Sequence, residues 1–346
     1  DKFDFEGLLS STAYNHPELV RKMTPEEFTM AYYNESGLNE VLVFNCDPKR
    51  LGMKMVDERF TPREVENLVG SNRMISCVRV DTQGSEQMKL KDFVEYYYKP
   101  KEEKDKLFNV LSLEFSNTAL SDLVRAPSLV RAIDWAGAWT EELKHRTVHF
   151  KEHGGFSSEQ HYPRVEKYCL MSPTACYTDF HIDFHGSSVW YHVKQGQKIF
   201  WIIEPSIENI KKYEEYMKDE DQTGFYGDLV DKCHRVFVNP GNTLIIPSGW
   251  IHAVYTPKDS LVFGGNFLHS RAISMQIDVL QSEDRSGIDK RYRYPQSEEV
   301  AFHMMAKLVK ACTSREYVRP LSKNQQEHNM EYVGEDFVKA GGHRRI

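Results

Sequence analysis

The stretch Thr178-Asp179-Phe180-His181-Ile182-Asp183, read together with Gly249-Trp250-Ile251-His252, decides how this chain is built. It supplies two histidines and one carboxylate. His181 and Asp183 are separated by one residue, and His252 follows His181 by 71 positions. Residues i and i+2 of a strand point to the same face. A strand here aims His181 and Asp183 at one point, and a second strand can bring His252 to it. The run from Asn242 to Val254 predicts strand, tight turn, strand. Pro247 and Gly249 supply the turn chemistry, and His252 stands just beyond it.

Two imidazoles and one carboxylate leave coordination positions open. Non-haem Fe(II) sites use this ligand set. Zinc is held by it too, so these residues alone leave the metal open. Lys198 adds a second constraint. It lies 17 residues after His181, in the strand-like run Lys198-Ile199-Phe200-Trp201-Ile202-Ile203. A lysine buried there needs an anionic partner, because an unpaired buried charge is very costly. Thr178 places a hydroxyl just before the His181–Asp183 dyad. Its separation from His181 is odd, so strand alternation does not by itself put the two on one face. His185 shares the face of His181 and Asp183 on an ideal strand. The triad is complete without it, and i+4 lies about 13 Å away in an extended chain. His185 therefore reads as a surface or supporting histidine.

The wider block from Tyr168 to Ser270 resembles the catalytic core of Jumonji-C (JmjC) 2-oxoglutarate-dependent oxygenases. It is most similar to the histone lysine demethylases in which JmjC follows a plant-homeodomain (PHD) finger. The residues that carry the resemblance are Tyr168 to Ser172, Tyr177 to Phe184, Ser188 to Val193, Gly249 to Val254 and Phe263 to Ser270. A weaker similarity runs through Glu64 to Gly70 and Phe108 to Ser116. The resemblance implies that His181, Asp183 and His252 hold Fe(II). It implies that Lys198 pairs with the distal carboxylate of 2-oxoglutarate, with Thr178 and Tyr191 as hydroxyl donors. Asn109 and Asn266 match asparagines near the cosubstrate and the oxygen site. Tyr168 is either a wall for a methylated lysine or core packing. His185 departs from the subgroup, which has glycine there.

The implied chemistry consumes 2-oxoglutarate and O2 and releases succinate and formaldehyde, with no catalytic residue beyond the metal site. The implied substrates are mono- and dimethylated lysines of the histone H3 tail, lysines nine and twenty-seven among them. The implied setting is chromatin in the nucleus. Two other functions are compatible with the fold: a JmjC protein hydroxylase, and a catalytically silent chromatin-binding module. The intact triad and Lys198 weigh against the silent module.

Length and composition set bounds. A chain of 346 residues buries a sizeable core in one or two domains. The 40% apolar and 27% charged content is ordinary for a globular protein. No apolar run approaches membrane-spanning length, and no membrane partner is expected. Net charge is −7. That argues against the broad basic surface of nucleic-acid binders and suits a basic peptide. Sequence-specific DNA binding is therefore not expected. The six cysteines form no Cys-x-x-Cys pair and read as reduced, intracellular thiols. A chain that starts at Asp1 without Met is expected to be part of a longer one, and the resemblance implies a PHD finger before it.

The expected fold is mainly β with flanking helices: a JmjC double-stranded β-helix, or jelly roll, with N-terminal α/β elements and a C-terminal helical subdomain. The expected division is 1–105, 106–270 and 271–346, with an acidic insertion at about 205–235. That insertion reads either as a solvated loop and helix or as a substrate-steering surface. Residues 1–22 read as a linker or a docking segment. Thr24-Pro25-Glu26-Glu27 and Thr61-Pro62-Arg63-Glu64 are capping-box patterns that predict helix starts. Gly70 suits the end of the second. Val41–Phe44, Ile75–Val80 and Phe108–Phe115 predict strands, and Lys89–Tyr98 and Leu129–Leu143 helices. Trp135 and Trp139 read as core. So does the stripe Val300, Met304, Leu308 and Cys312, widened by Met305 and Val309. The tail from Gly341 to Ile346 is expected to be mobile.

Overall fold

The structure is a computed structural model and describes residues 3–139, 163–219 and 224–314. The chain divides into two compact units. One comprises Asp1–Asp134 with Arg164–Tyr294, the other Trp135–Pro163 with Pro295–Ile346.

Among the described residues, eleven strands form the frame of the first unit. In chain order they are β1 (Val20–Lys22), β2 (Val41–Asn45), β3 (Met74–Arg79), β4 (Ser85–Lys89), β5 (Phe108–Glu114), β6 (Tyr168–Ser172) and β7 (Tyr177–His181). Then come β8 (Ser188–Ile203), β9 (His234–Val238), β10 (Asn242–Ile246) and β11 (Ile251–Phe267). The helices are α1 (Phe5–Ser10), α2 (Met30–Ser36), α3 (Pro62–Val69), α4 (Leu90–Tyr97), α5 (Ser128–Ile133), α6 (Ile207–Lys218) and α7 (Ile273–Arg285). A further helix, α8 (Ser297–Thr313), belongs to the second unit.

β8 and β11 pair antiparallel along most of their length, and each changes its other neighbour midway. β8 runs beside β10 around Tyr191 and beside β9 around Lys198. β11 runs beside β7 around His252 and beside β6 from Ser260 onward. The two long strands thus pass through both layers of a jelly roll. The wide layer is ordered β1-β2-β10-β8-β11-β6-β5-β3-β4, and β9 and β7 flank β8 and β11 in the narrow layer. The β8 corner is at Gly196, with φ +77, where a Cβ would lie 2.2 Å from the Asp259 carbonyl oxygen. Only glycine fits such a close backbone approach. The expected jelly roll with flanking helices is the fold observed.

Three apolar clusters fill this unit. The largest joins β2, β3, β5 and β6 to α3, α4 and α5. The second includes Val189, Tyr191, Phe200, Ile202, Leu244 and Ile246. The third includes Tyr177, Ile199, Trp201 and Ile203 with tyrosines of the insertion. Alternate residues of β8 serve different clusters, as the period of two requires. The N-terminal segment docks on the third cluster. Phe5 stacks on Tyr255 at 4.5 Å, and an Arg235 guanidinium N–H donates to the carbonyls of Leu8 and Ser11.

Several local expectations need correction. At Thr24 the capping contact forms, with the Thr24 N–H donating to Glu27 at 2.8 Å, but the chain makes only a turn. Phe28 enters the core against Phe44, and the helix waits until Thr29 caps α2. The same signal succeeds at Thr61, which caps α3 reciprocally with Glu64. The expected helix from Leu129 breaks at Asp134, whose carboxylate accepts the Leu268 N–H at 3.3 Å. Residues 135–139 are helical again, and 140–143 lie outside the described residues. β4 escaped notice because Ser-Glu-Gln-Met-Lys is a polar edge strand.

In the second unit Trp135 is buried and Trp139 is half-buried, its ring 6.2 Å from His303. The α8 stripe is not core throughout. Val300 is buried, but Met305 and Leu308 are 59% and 62% exposed. Met304 and Val309 are half-buried, so the face is covered in part beyond its first turn. The expected tail lies outside the described residues. No helix among the described residues is long and apolar enough to cross a membrane.

Candidate metal centre and buried cation

β7 ends at His181, and Asp183 follows in extended backbone. His252 is the second residue of β11 and stands directly opposite His181 in the ladder. The turn before it puts it there: Gly249 takes φ +81, and the Trp250 N–H donates to the Pro247 carbonyl. One ligand atom from each of His181, Asp183 and His252 lies within 4.8 Å of the others. His252 Nε2 is 3.7 Å from Asp183 Oδ2.

The imidazoles are oriented from behind. His181 Nδ1 meets the Asp179 carbonyl at 2.8 Å, and His252 Nδ1 meets the Trp250 carbonyl at 3.1 Å. A carbonyl accepts only, so each Nδ1 carries a proton and leaves Nε2 as the ring atom that can face a metal. Burial, and then the neighbouring His181, push His252 down to about 4, against the pull of Asp183. Neutral imidazoles with backbone acceptors behind them are what metal ligation requires. The donor set fits a divalent ion with open positions.

Thr178 joins the same pocket through an irregularity. Val254 pairs with Thr178, whereas His252 pairs with His181. Three steps along β7 match two along β11. This β-bulge restores Thr178 to the face of His181 despite their odd separation.

Lys198 is 1% exposed. Its ammonium donates to Ser172 Oγ at 2.6 Å and to Thr256 Oγ1 at 2.8 Å. Among the described residues no carboxylate forms an ion pair with it. Burial pushes its pKa down to about 7. Ser172 in turn donates to Asn109 Oδ1 at 2.6 Å, and Asn109 Nδ2 reaches Thr178 at 3.5 Å. A polar chain therefore links Lys198 to Thr178.

Triad and lysine open into one cavity of about 180 Å³. Asn109, Thr178, Tyr191, Tyr168 and Asn266 line it as well, with Leu170, Val189, Phe200, Ile246 and Val254 as apolar walls. The Tyr191 ring meets Phe200 edge-on at 5.2 Å. Asn266 donates to Ser187 at 2.9 Å and to Asp183 at 3.4 Å. The Tyr168 hydroxyl donates to the Arg164 carbonyl at 3.2 Å. All nine residues singled out from the sequence are thus brought together.

His185 does not join them. β7 has ended, and His185 sits at φ 55 in a short turn of Phe184–Gly186. Its backbone N–H donates to Glu283 at 2.6 Å. Ser172 and Thr256 were missed as partners of Lys198. Ser172 could have been weighed, because it ends a strand-like run. Nothing in the sequence marks Thr256.

Residues 168–267 match the family described as JmjC domain, hydroxylase. The chain carries a JmjC domain. The matched stretch runs from the first residue of β6 to the last of β11. It contains the triad, Thr178, Tyr191 and Lys198, whereas Asn109 lies before it. Similarity to curated proteins extends well beyond the JmjC domain. The chain is 49% identical over 325 residues to a Caenorhabditis briggsae protein named JmjC domain-containing histone demethylation protein 1, covering 93% of this chain and 30% of that protein. It is 44% identical over 318 residues to mouse lysine-specific demethylase 2B, covering 91% of this chain and 24% of the relative. To zebrafish histone lysine demethylase PHF8 it is 41% identical over 290 residues, covering 83% and 26%. The chain spans about a third or less of the length of the relatives it matches.

Proposed function

We propose that this chain is the catalytic segment of an Fe(II)- and 2-oxoglutarate-dependent histone lysine demethylase. The observation that carries the reading is the shared pocket: a His-Asp-His cluster at one place, and at another a buried lysine that no carboxylate of the described residues pairs with. An ion and a dicarboxylic acid together complete both. The names of the relatives support a histone substrate.

Bound at His181, Asp183 and His252, Fe(II) would supply, with 2-oxoglutarate and O2, the power to oxidise a lysine N-methyl group, which leaves as formaldehyde. The chain's own residues bind and orient. Lys198 anchors the distal carboxylate of 2-oxoglutarate by a charge-assisted hydrogen bond. Thr178 and Tyr191 offer it hydroxyls, and Asn109 braces Thr178 and Ser172. Asn266 holds Asp183 from the side. Tyr168 forms a wall for the methylated lysine, and the apolar lining excludes water.

The finer reading follows the resemblance: mono- and dimethylated lysines of the H3 tail, nine and twenty-seven among them, in nuclear chromatin. A PHD finger ahead of this segment would then raise the local concentration of the right site without changing the pocket. Incubation with a panel of methylated H3 peptides, read by mass spectrometry, tests the reaction and the choice of lysine and methyl state. Loss of one CH2 per event, with succinate formed, is the expected result. A stable gain of one oxygen favours the hydroxylase reading, which the description of the matched family keeps open. Binding of 2-oxoglutarate without turnover on any peptide would favour the silent module.

A further inference from the structure

The metal ligand His181 is tied to the inserted helix α6 through Asp179. The Asp179 carbonyl and the Phe180 N–H belong to one planar peptide group. That carbonyl takes the His181 Nδ1 contact at 2.8 Å. The Phe180 N–H donates to the Asp179 carboxylate at 2.8 Å. Holding the N–H on one side of a trans peptide aims the carbonyl to the other, so the carboxylate sets the direction of the group that orients His181.

The carboxylate is itself held, once from β7 and once from the inserted helix. The Tyr177 hydroxyl donates to Oδ1 at 2.9 Å. The Tyr216 hydroxyl reaches Oδ1 at 3.3 Å and Oδ2 at 3.2 Å. Tyr216 lies on α6, one turn from Tyr213, and both share an apolar cluster against which Ile182 packs. α6 is tied in turn to α7, where Arg285 grips Glu214 with two nitrogens, at 2.7 and 3.1 Å. α7 then holds the far side of the ligand segment, since Glu283 accepts the His185 N–H. The segment from Asp179 to His185 is therefore clamped at both ends by helices outside the strands that carry the ligands.

We infer that Tyr216 is a positioning residue for the metal centre, acting through Asp179, and that the insertion is a brace for the site as well as a solvated excursion. The inference rests on the metal reading of the triad. Removing a partner behind a metal ligand typically weakens metal binding by about 10–100-fold. Tyr216 stands one contact further out, so the lower end is expected.

The test is titration of the full chain with Co(II) under anaerobic conditions, reading the metal's d–d absorption and its affinity. Wild type should bind one Co(II) at the triad, and His252→Ala should abolish the band. If wild type does not bind, or His252→Ala binds equally well, the metal reading itself fails. Tyr216→Phe should bind Co(II) about tenfold more weakly, with an altered d–d spectrum. Tyr226→Phe is the control. It removes another hydroxyl from the same aromatic cluster, one that donates to the Asn209 carbonyl at 2.6 Å. Its Co(II) affinity and spectrum should match wild type. Wild-type affinity in Tyr216→Phe, or equal weakening in Tyr226→Phe, overturns the inference while leaving the metal reading intact.

Discussion

The Lys198 ammonium rests on the Ser172 hydroxyl at 2.6 Å, deep in the fold and with no carboxylate paired to it among the described residues. Two neutral oxygens satisfy part of its donor capacity, and an acid entering the pocket would supply the missing charge. Lys198→Ala should therefore weaken 2-oxoglutarate binding by about 2–5 kcal/mol, the cost of losing one partner of a buried charge pair. Calorimetric titration with 2-oxoglutarate and its amide analogue N-oxalylglycine checks this. Unchanged affinity for both would mean that the acid binds elsewhere.

The same burial gives the ligand-free chain a pH signature. Burial pushes Lys198 down to about 7 from its ordinary 10.5. Between these values the unfolded chain keeps the proton and the folded chain releases it, so stability rises with pH across that window. Below it both states are protonated, and the full cost of burying the charge is present. Lys198→Met lacks the charge, so it should be the more stable protein at low pH and should show a flatter rise. Urea melts of both proteins at about pH 6 and about pH 9 report the difference; parallel slopes would refute it.

Asp183→Ala should remove turnover while leaving the fold intact. Asp183 is half-buried at the rim of the pocket and holds no strand together. Far-ultraviolet circular dichroism should match wild type, and formaldehyde release should vanish. Nickel, manganese and zinc should compete for the wild-type site, because nitrogen and oxygen ligands do not select Fe(II) by affinity.

Gly196→Ala should destabilise by more than about 1 kcal/mol, and by more than Gly241→Ala. Both glycines have positive φ, but a Cβ at Gly196 meets the Asp259 carbonyl at 2.2 Å, whereas nothing lies within 4 Å at Gly241. The difference between the two variants isolates the clash at the corner from the backbone strain. Thermal midpoints measure both, and equal shifts would remove the argument for the corner.

Much of this site was legible because its residues sit on strands of fixed period. His181, Asp183 and His252 obey alternation and a turn rule, and both survive folding. Alternation fails where the strands are irregular. Thr178 and His181 are an odd number apart and share the pocket only because β7 bulges. Tyr191 and Lys198 are also an odd number apart, and the β8 corner brings both into the pocket. The resemblance supplied these assignments, and the bulge and corner are their physical reason. The false helix start at Thr24 has another origin. Its capping hydrogen bonds form, but burial of Phe28 outweighs them. Ser172 and Thr256 become partners of Lys198 only once β6, β8 and β11 are laid side by side, which no local pattern encodes.

Because β11 passes through both layers, it carries His252 at the triad end of the pocket and Thr256, a partner of Lys198, at the lysine end. The interval between them is set by peptide units, each adding about 3.3 Å. The pocket is in effect a caliper whose jaws share one covalent spine. Swapping side chains on β11 can change how firmly an acid is gripped, but not the length of strand between the two positions. Altering that length takes an inserted or deleted residue in the spine, and such a change would also turn His252 or Thr256 to the other face.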